Sequence, residues 1–471
     1  MPRERLVVIG GVAAGMSAAS RARKLNPELE IIVLEKGRHV SVGACGLPYY
    51  LSGEISDWKE LIAYDAEFFR EKRGIDVRLE HEATAVVPGR KTVHALERGT
   101  RETALHYDKL VIATGGAPAE SLPGADAVNV FTCNDLPGTM RLREFIEKEK
   151  PQRAVIVGSG YIGLEVADAF VQRGLQVTVL ERSDALLEGI EPEIAGRVEA
   201  ELLEHGVELI KGSAANEIEC AEERSFASLR MTHSENRMTN VEKRALAVRH
   251  GANGRHEADL VLLATGIVPR VALAESAGIQ LGPTGAIAVD ERMLTSVNSI
   301  YAAGDCTEVR NLVTGKPSYF PLGTTANKQG RVAGENAGGG NATFPGVVGT
   351  LVTKVFALEV AKTGLSLQQA RANGFQPDSV TLTSTSRAQY FHGKPILLKL
   401  VWERSSGRVL GCQMAGQEGV AKRIDVAAMA LQARLTVEDL LHADLSYAPP
   451  FAPVWEAILI AAHEAQKKLR G

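Results

Sequence analysis

Two stretches about 150 residues apart share one grammar. "RLVVIGGVAAGMSAASRARKLNPELEIIVLE" (5–35) and "RAVIVGSGYIGLEVADAFVQRGLQVTVLE" (153–181) each run from a short apolar strand through a glycine turn into a small-residue helix. Each then enters a second apolar strand that ends on glutamate, Glu35 or Glu181. A chain with two such βαβ openings is tightly constrained, because a parallel pair joined by a helix must lie in a sheet covered on its faces. The expectation is an α/β fold with two nucleotide-binding units.

Later segments repeat the pairing. "YDKLVIATGGAP" (107–118) follows the first unit and "ADLVLLATGIVP" (258–269) follows the second. "SIYAAGDCTEV" (299–309) reads as a strand ending on Gly304 and Asp305. The polar stretch from 213 to 256 predicts strands with a long or mobile hairpin and receives no function. After "GGGNATFPG" (338–346) the texture changes to antiparallel strands ("VTLTS", "PILLKLVWE", "RVLGCQMAG") and helices ("KRIDVAAMALQA", "VWEAILIAAHEAQKKL"). There "SLQQARANG" carries a capping box, Ser366 with Gln369, and Gly374 as the stop. The predicted fold is two Rossmann-like domains plus a C-terminal α+β domain: 1–118 with 256–338, 119–255, and 339–471.

Charge excludes some classes. Lys plus Arg is 53 and Asp plus Glu is 57, a net charge of −4 that asks for neither nucleic acid nor an anionic membrane. No apolar run reaches the length of a membrane-spanning helix. The five cysteines are widely spaced without CxxC, so neither a disulfide framework nor a metal site is expected, and a reducing cytoplasm is the simplest location.

The second unit carries G-x-G-x-x-G at Gly158, Gly160 and Gly163. These glycines permit the tight turn, the approach of a pyrophosphate and the close packing of helix on strand. Glu181 stands where a carboxylate bonds a ribose diol and repels a 2′-phosphate, which favours NADH, although Arg182 beside it leaves NADPH possible. The first unit has Gly10, Gly11 and Gly15, with Val12 in place of the second fingerprint glycine and Glu35 as ribose partner. Asp305 supplies a further strand end suited to a large nucleotide such as FAD. Two nucleotide sites in one chain suggest two cofactors exchanging electrons.

One cysteine stands apart. "SVGACGLPYYLSG" (41–53) sets Cys45 among glycines with no second cysteine nearby. An active thiol here would form a disulfide with an external thiol or cycle through a sulfenic acid. Taken by itself, a lone cysteine is more often a small buried hydrophobe.

With these segments the chain resembles the single-cysteine branch of the FAD- and NAD(P)H-dependent disulfide reductases, in particular coenzyme A-disulfide reductases and their persulfide and polysulfide reductase relatives. "GGVAAG", "SVGACGLPYY", "KLVIATGGAP", "GSGYIGLE", "YAAGDCTEV", "PLGTTANKQGRVAGENAGGG" and "DLSYAPPFAPVWE" carry the resemblance. It implies a homodimer with FAD, NAD and dimerisation domains, and Val12 then fits the branch's own FAD turn. FAD contacts are implied for Gly10, Gly11, Val12, Ala13, Gly15, Glu35, Lys36, Ala113, Thr114, Gly115, Asp305, Thr324 and Thr325. NAD contacts are implied for Gly158, Gly160, Tyr161, Ile162, Gly163, Glu165, Glu181, Arg182 and Gly266. Tyr161 would be a gate over the flavin and Glu165 a polar contact to the nicotinamide. Cys45 would form the mixed disulfide. Tyr447 of "SYAPPF" would reach the partner subunit's cysteine, and Tyr390 of "RAQYFHG" corresponds to a second tyrosine in a segment that departs from the family at Phe391 and His392.

Three functions stay open: a reductase of coenzyme A disulfide, persulfide or polysulfide; an NADH oxidase or peroxidase working through a Cys45 sulfenic acid; and a flavin-bound redox sensor with little turnover. Ala13 favours the first over the second, because the oxidase branches usually carry a histidine there. The resemblance implies coenzyme A contacts at Ser41, Arg21, Arg23 and Lys24. Ala44 replaces the asparagine usual before the cysteine of coenzyme A-disulfide reductases, so persulfide and polysulfide stand beside the disulfide as substrates. No rhodanese-like extension follows the third domain, so any sulfur-delivering partner is expected to be a separate protein.

Overall fold

The computed structural model describes residues 3–119, 121–225 and 240–470. The chain divides into two compact units, one of 1–46, 57–117 and 267–349, the other of 47–56, 118–266 and 350–471.

The first unit is built on a five-stranded parallel sheet in the order Ile300–Ala302, Lys109–Ile112, Arg5–Ile9, Glu30–Leu34, Asp76–Arg78. Its inner strands are apolar after their first, charged residue because both faces are covered, with Leu6, Val7, Val8, Ile32 and Val33 almost fully buried. The helix Ala13–Leu25 covers one face, and Asn26 ends it ahead of Pro27. It lies against the helix Gly323–Ala337 in unusually close contact. A Cβ at Gly330 would stand 2.2 Å from the Ala14 carbonyl oxygen, and one at Gly334 would stand 2.1 Å from that of Ala18. An antiparallel sheet, His81–Val87, Thr92–Glu97 and Arg101–His106, adds to this unit; the sequence reading did not assign it.

The second unit repeats the parallel design in the order Glu208–Ile210, Gln176–Leu180, Arg153–Val157, Leu260–Leu263, Val130–Phe131. Ala215–Ser225 and Asn240–His250 pair antiparallel, followed by Gly254–Glu257. The hairpin expected within 213–256 therefore has its arms here, and residues 226–239 lie outside the described residues. The C-terminal part is a five-stranded antiparallel sheet in the order Leu351–Val355, Leu358–Gly364, Val409–Gly416, Pro395–Glu403, Pro377–Thr385. The capping box forms as expected, with Ser366 accepting from the Gln369 N–H and the Gln369 side chain accepting from the Ser366 N–H. The last helix spans Ala457–Arg470 and starts later than the periodicity suggests. Glu456 instead turns its carboxylate to the Ala457 N–H and to Arg423, which holds the chain ahead of Ala457 in another conformation. Among the described residues, no helix is long and apolar enough to cross a membrane.

Candidate active site

In the first unit, the turn after Arg5–Ile9 requires glycine. Gly10 has φ +102°, and a Cβ there would stand 2.1 Å from the Ala113 carbonyl oxygen. A Cβ at Gly15 would stand 1.8 Å from the Gly10 oxygen. Glu35 is buried at the end of the next strand and accepts from the Gly11 and Gly37 N–H groups, each at 2.7 Å. Val12 is exposed and occupies the N-cap position of Ala13–Leu25 with no side-chain cap. Thr114 donates to the Arg270 carbonyl, and Gly115 has φ +70°. Lys36 is exposed.

Asp305 is half-buried. Its carboxyl has no hydrogen-bond partner among the described residues, and burial pushes it above the usual carboxylate range. Gly304 ahead of it has φ +86°, and the Gln329 side chain accepts from its N–H.

The second unit repeats the arrangement. Gly158 has φ +103°, its Cβ position lying 2.4 Å from the Ala264 oxygen, and the Cβ position of Gly163 lies 2.2 Å from the Gly158 oxygen. Gly160 caps Tyr161–Gln172 with backbone only, and Ile162 is half-buried. Glu181 accepts from the Ser159 N–H and hydroxyl at 2.9 and 2.7 Å and from the Ser183 N–H at 2.8 Å. Burial would raise its pKa, but these hydrogen bonds prevail and hold the carboxyl below its ordinary value. Arg182 is exposed beside it. Gly266 has φ +106° and accepts the Ala119 N–H.

These turns suit bound phosphate. The helices Ala66–Arg73, Leu136–Glu149 and Leu367–Ala372 are capped by the side chains of Asp65, Asp135 and Ser366. Ala13–Leu25, Tyr161–Gln172 and Gly323–Ala337 have neither a side-chain cap nor an acid in the first turn. Their first N–H groups thus stay available to an anion. Thr324, exposed, and Thr325, buried, lie in the first turn of the third of these.

Cys45 is exposed in the 3₁₀ turn Ala44–Gly46, whereas Cys133, Cys306 and Cys412 are buried. A Cβ at Gly323 would stand 4.0 Å from Cys45 Sγ, so the thiol lies beside the uncapped start of Gly323–Ala337. Ser41 just upstream holds φ +52°, uncommon for a residue with a side chain, and its N–H donates to the Gly11 carbonyl.

Tyr161 buries its hydroxyl without a hydrogen-bond partner among the described residues, and burial pushes the phenol's pKa up. Glu165, one turn on, is also raised by burial, opposed by a 2.8 Å hydrogen bond from the Thr353 hydroxyl. In the C-terminal part, Tyr390 and Tyr447 are 70% and 47% exposed, with Phe451, Val454 and Trp455 also exposed, and desolvation together with the neighbouring Tyr447 hydroxyl raises the Tyr390 phenol.

The sequence profile of the Pyridine nucleotide-disulphide oxidoreductase family matches residues 4–330, and the profile of its dimerisation domain matches 351–458. The chain belongs to the pyridine nucleotide-disulphide oxidoreductase family. It is 39% identical over 465 residues to the NAD(P)H sulfur oxidoreductase (CoA-dependent) of Pyrococcus furiosus, covering 98% of this chain and 99% of that protein. It is 32% identical over 468 residues to an NADH oxidase of Methanocaldococcus jannaschii, covering 99% of each. The solved NAD-dependent persulfide reductase from A. fulgidus superposes with a TM-score of 0.91 at 40% identity, covering 99% of this chain and 84% of that one.

Within this oxidoreductase the basic residues expected at coenzyme A differ in availability. Arg21 is paired with Glu335, its Nε 2.7 Å from a carboxylate oxygen. Arg23 is committed to the Pro27 and Gly74 carbonyls, and burial lowers its pKa. Lys24 is exposed and makes no ion pair among the described residues. The sequence reading missed Thr353, which reaches Glu165, and Arg143, which reaches the main chain of the segment after Cys45; both act over long separations and leave no local signal. A cavity of about 520 Å³ beside Phe131, Arg141 and Phe145 contains none of the expected cofactor residues.

Proposed function

We propose that the protein is an FAD-dependent NAD(P)H oxidoreductase that reduces coenzyme A disulfide, or coenzyme A persulfide or polysulfide, through Cys45. The observation that carries this reading is the exposed Cys45 thiol beside an uncapped helix start, in a chain that closely matches a CoA-dependent NAD(P)H sulfur oxidoreductase along its whole length. FAD would be held by 1–118 and 256–338, NAD(P)H by 119–255, and the dimer contact by 339–471 in a homodimer of the reducing cytoplasm. No nucleic acid or membrane partner is proposed.

Uncapped helix starts and a half-buried carboxyl without a partner, Asp305, suit a dinucleotide's pyrophosphate and the hydroxyls of its ribitol. Glu35 and Glu181 keep lone pairs for ribose hydroxyls, and the ionised Glu181 disfavours a 2′-phosphate, which makes NADH the preferred donor. Tyr161, a buried phenol without a partner, has the property of a side chain that changes position when ligand enters. Glu165 then offers a polar contact to the nicotinamide.

Cys45 as thiolate attacks one sulfur of the substrate. The S–S bond breaks, the mixed disulfide forms, and the departing thiolate takes a proton, for which Tyr447 is the donor. The bound flavin would relay the electron pair from NAD(P)H that returns the mixed disulfide to two thiols. Lys24, exposed, is the best placed of the three basic residues to meet a coenzyme A phosphate, with Ser41 near the thiol.

A second reading, an NADH oxidase cycling Cys45 through sulfenic acid, is favoured by the 32% identical relative. Ala13 opposes it because it offers no proton at the flavin turn. The test is Cys45→Ser together with intact mass before and after reductant. The expected outcome is full FAD content with turnover of coenzyme A disulfide and persulfide abolished, and a reducible coenzyme A adduct on the parent protein. A reducible mass of one or two oxygens, with oxygen-consuming turnover that dies in Cys45→Ser, favours the second reading. Retained disulfide turnover in Cys45→Ser would sink the proposal.

A further inference from the structure

The segment directly after the cysteine is held by two arginines. The helix Leu47–Ser52 begins two residues beyond Cys45, and its last carbonyls have no partners within so short a helix. Tyr49 O is taken locally by the Gly53 and Ile55 N–H groups. Tyr50 O instead accepts from Arg143 Nη1 at 3.1 Å, which also reaches Ser56 O at 3.2 Å and Ile55 O at 3.4 Å. Leu51 O accepts from Arg173 Nε at 2.9 Å. The Arg143 guanidinium carbon lies 4.3 Å from the centroid of the buried Tyr50 ring. Glu147 bridges the pair, 2.9 Å from Arg143 Nε and 3.6 Å from Arg173 Nη1.

This grip has consequences for the thiol. Arg143 comes from Leu136–Glu149 and Arg173 caps Tyr161–Gln172, the helix that bears Tyr161 and Glu165. The arginines are largely buried, with 18% and 21% of their side chains exposed, so the carbonyl bonds are shielded from competing water. Cations at the C-terminal end of a helix also complement its dipole. A planar guanidinium that gives Nε to Glu147 and Nη1 to main-chain carbonyls while lying over a ring is a geometry lysine cannot reproduce. With Leu47 only two residues from Cys45, fixing this helix fixes the main chain that carries the thiol.

We infer that Arg143, supported by Glu147 and Arg173, is a positioning residue for Cys45: it holds Leu47–Ser52 so that the thiol stays aligned for attack on the substrate disulfide. The inference rests on the proposed role of Cys45 and adds residues that do not touch the substrate. Misplacement of a reacting group by about an ångström costs on the order of a hundredfold in rate.

The test uses the FAD-loaded enzyme. Arg143→Ala should lower kcat for coenzyme A disulfide about ten- to a hundredfold with little change in KM. FAD content and NADH:ferricyanide turnover, which does not need Cys45, should match the parent. The alkylation profile of Cys45, its labelling time course at neutral pH, should change as the main chain that presents the thiol is no longer held. Arg143→Lys should recover part of both effects. Glu147→Gln, which keeps both arginines, should give smaller changes in the same directions and serves as the second arm if the alanine variant does not accumulate. Parent-like kcat and alkylation profile in Arg143→Ala, or in Glu147→Gln where only that variant folds, overturn the inference. Cys45→Ser run alongside separates the two readings: if it retains turnover the role of Cys45 fails, whereas if it is dead and the Arg143 variants are normal only the positioning role fails.

Discussion

Thr353 donates its hydroxyl to Glu165 Oε1 at 2.8 Å, across 188 positions of sequence. The strand Leu351–Val355 thereby acts on the helix Tyr161–Gln172, and a second bond, from the Phe356 N–H to Asp168 at 2.9 Å, does the same one turn on. Burial drives the Glu165 pKa up, the Thr353 bond works against that, and the Asp168 charge adds to the rise. A carboxyl raised in the folded state contributes stability below its ordinary pKa, and that contribution is lost as pH rises through the raised value.

Removing the Thr353 hydroxyl removes a donor to the ionised form only. Thr353→Val should therefore push Glu165 higher still and move the acid limb of NADH:ferricyanide turnover up by on the order of one pH unit. Thr353→Ser should restore the parent profile. An unshifted profile in Thr353→Val would show that Glu165 does not need its charge.

Glu181 has the opposite sign. Its folded pKa lies below its ordinary value, so the stability it contributes is present above that ordinary value and is lost as pH falls through the folded one. It is thus ionised at neutral pH and faces any 2′-phosphate as a like charge. Glu181→Ala should raise the KM for NADH and lower that for NADPH, shifting the ratio of kcat/KM values by about tenfold or more, equivalent to about 1.4 kcal/mol. Steady-state kinetics with both donors measures it, and an unchanged ratio would assign the preference to Arg182 or its loop.

The contact between Ala13–Leu25 and Gly323–Ala337 predicts a stability effect. Gly330→Ala puts a methyl group 2.2 Å from a backbone oxygen, which cannot rotate away. The helices must separate, at a cost of about 1–3 kcal/mol. Because both helix starts are proposed to face FAD, the variant should lose melting temperature and FAD content together. Normal melting with full FAD would mean that the helices part at little cost.

Of the five cysteines, Cys45 should be the one alkylated first in the native protein. Burial pushes Cys133 up to about 12 and raises Cys306 and Cys412 as well, while Cys220 is half-exposed and also raised. Peptide mapping after brief iodoacetamide treatment at neutral pH checks this, and early label on Cys220 would contradict it.

The parts of the site legible in the sequence are those set by close backbone approach. Gly10, Gly158 and their partners Gly15 and Gly163 are dictated by contacts that forbid a Cβ, so the turn, the helix and the terminal glutamate can be read within thirty or so residues. The capping box at Ser366 is local for the same reason. Thr353 on Glu165, Arg143 on Tyr50 and Arg21 on Glu335 join positions 188, 93 and 314 residues apart, and neither periodicity nor spacing encodes them. Arg21 shows the cost of this: as a basic residue on a helix it resembles a phosphate ligand, yet its charge is already matched. The antiparallel strands 81–106 were missed because their alternation is diluted by charged residues on an exposed face, as in Arg101–His106.

The pair Tyr390 and Tyr447 gives the last prediction. Slight desolvation and the neighbouring Tyr447 hydroxyl raise the Tyr390 phenol above its ordinary value. Tyr447→Phe should remove the proton donor and lower disulfide turnover about 10²–10⁴-fold, with NADH:ferricyanide turnover intact. Tyr390→Phe should cost less, because it alters only a neighbour of the proton donor. If Tyr447 serves the Cys45 of the other subunit, mixing Tyr447→Phe with Cys45→Ser protein and allowing subunits to exchange assembles one heterodimer site with both residues intact. Activity should then reappear in a mixture of two inactive parents. No recovery, despite exchange proven by mass, would place Tyr447 with the cysteine of its own chain or away from the chemistry altogether.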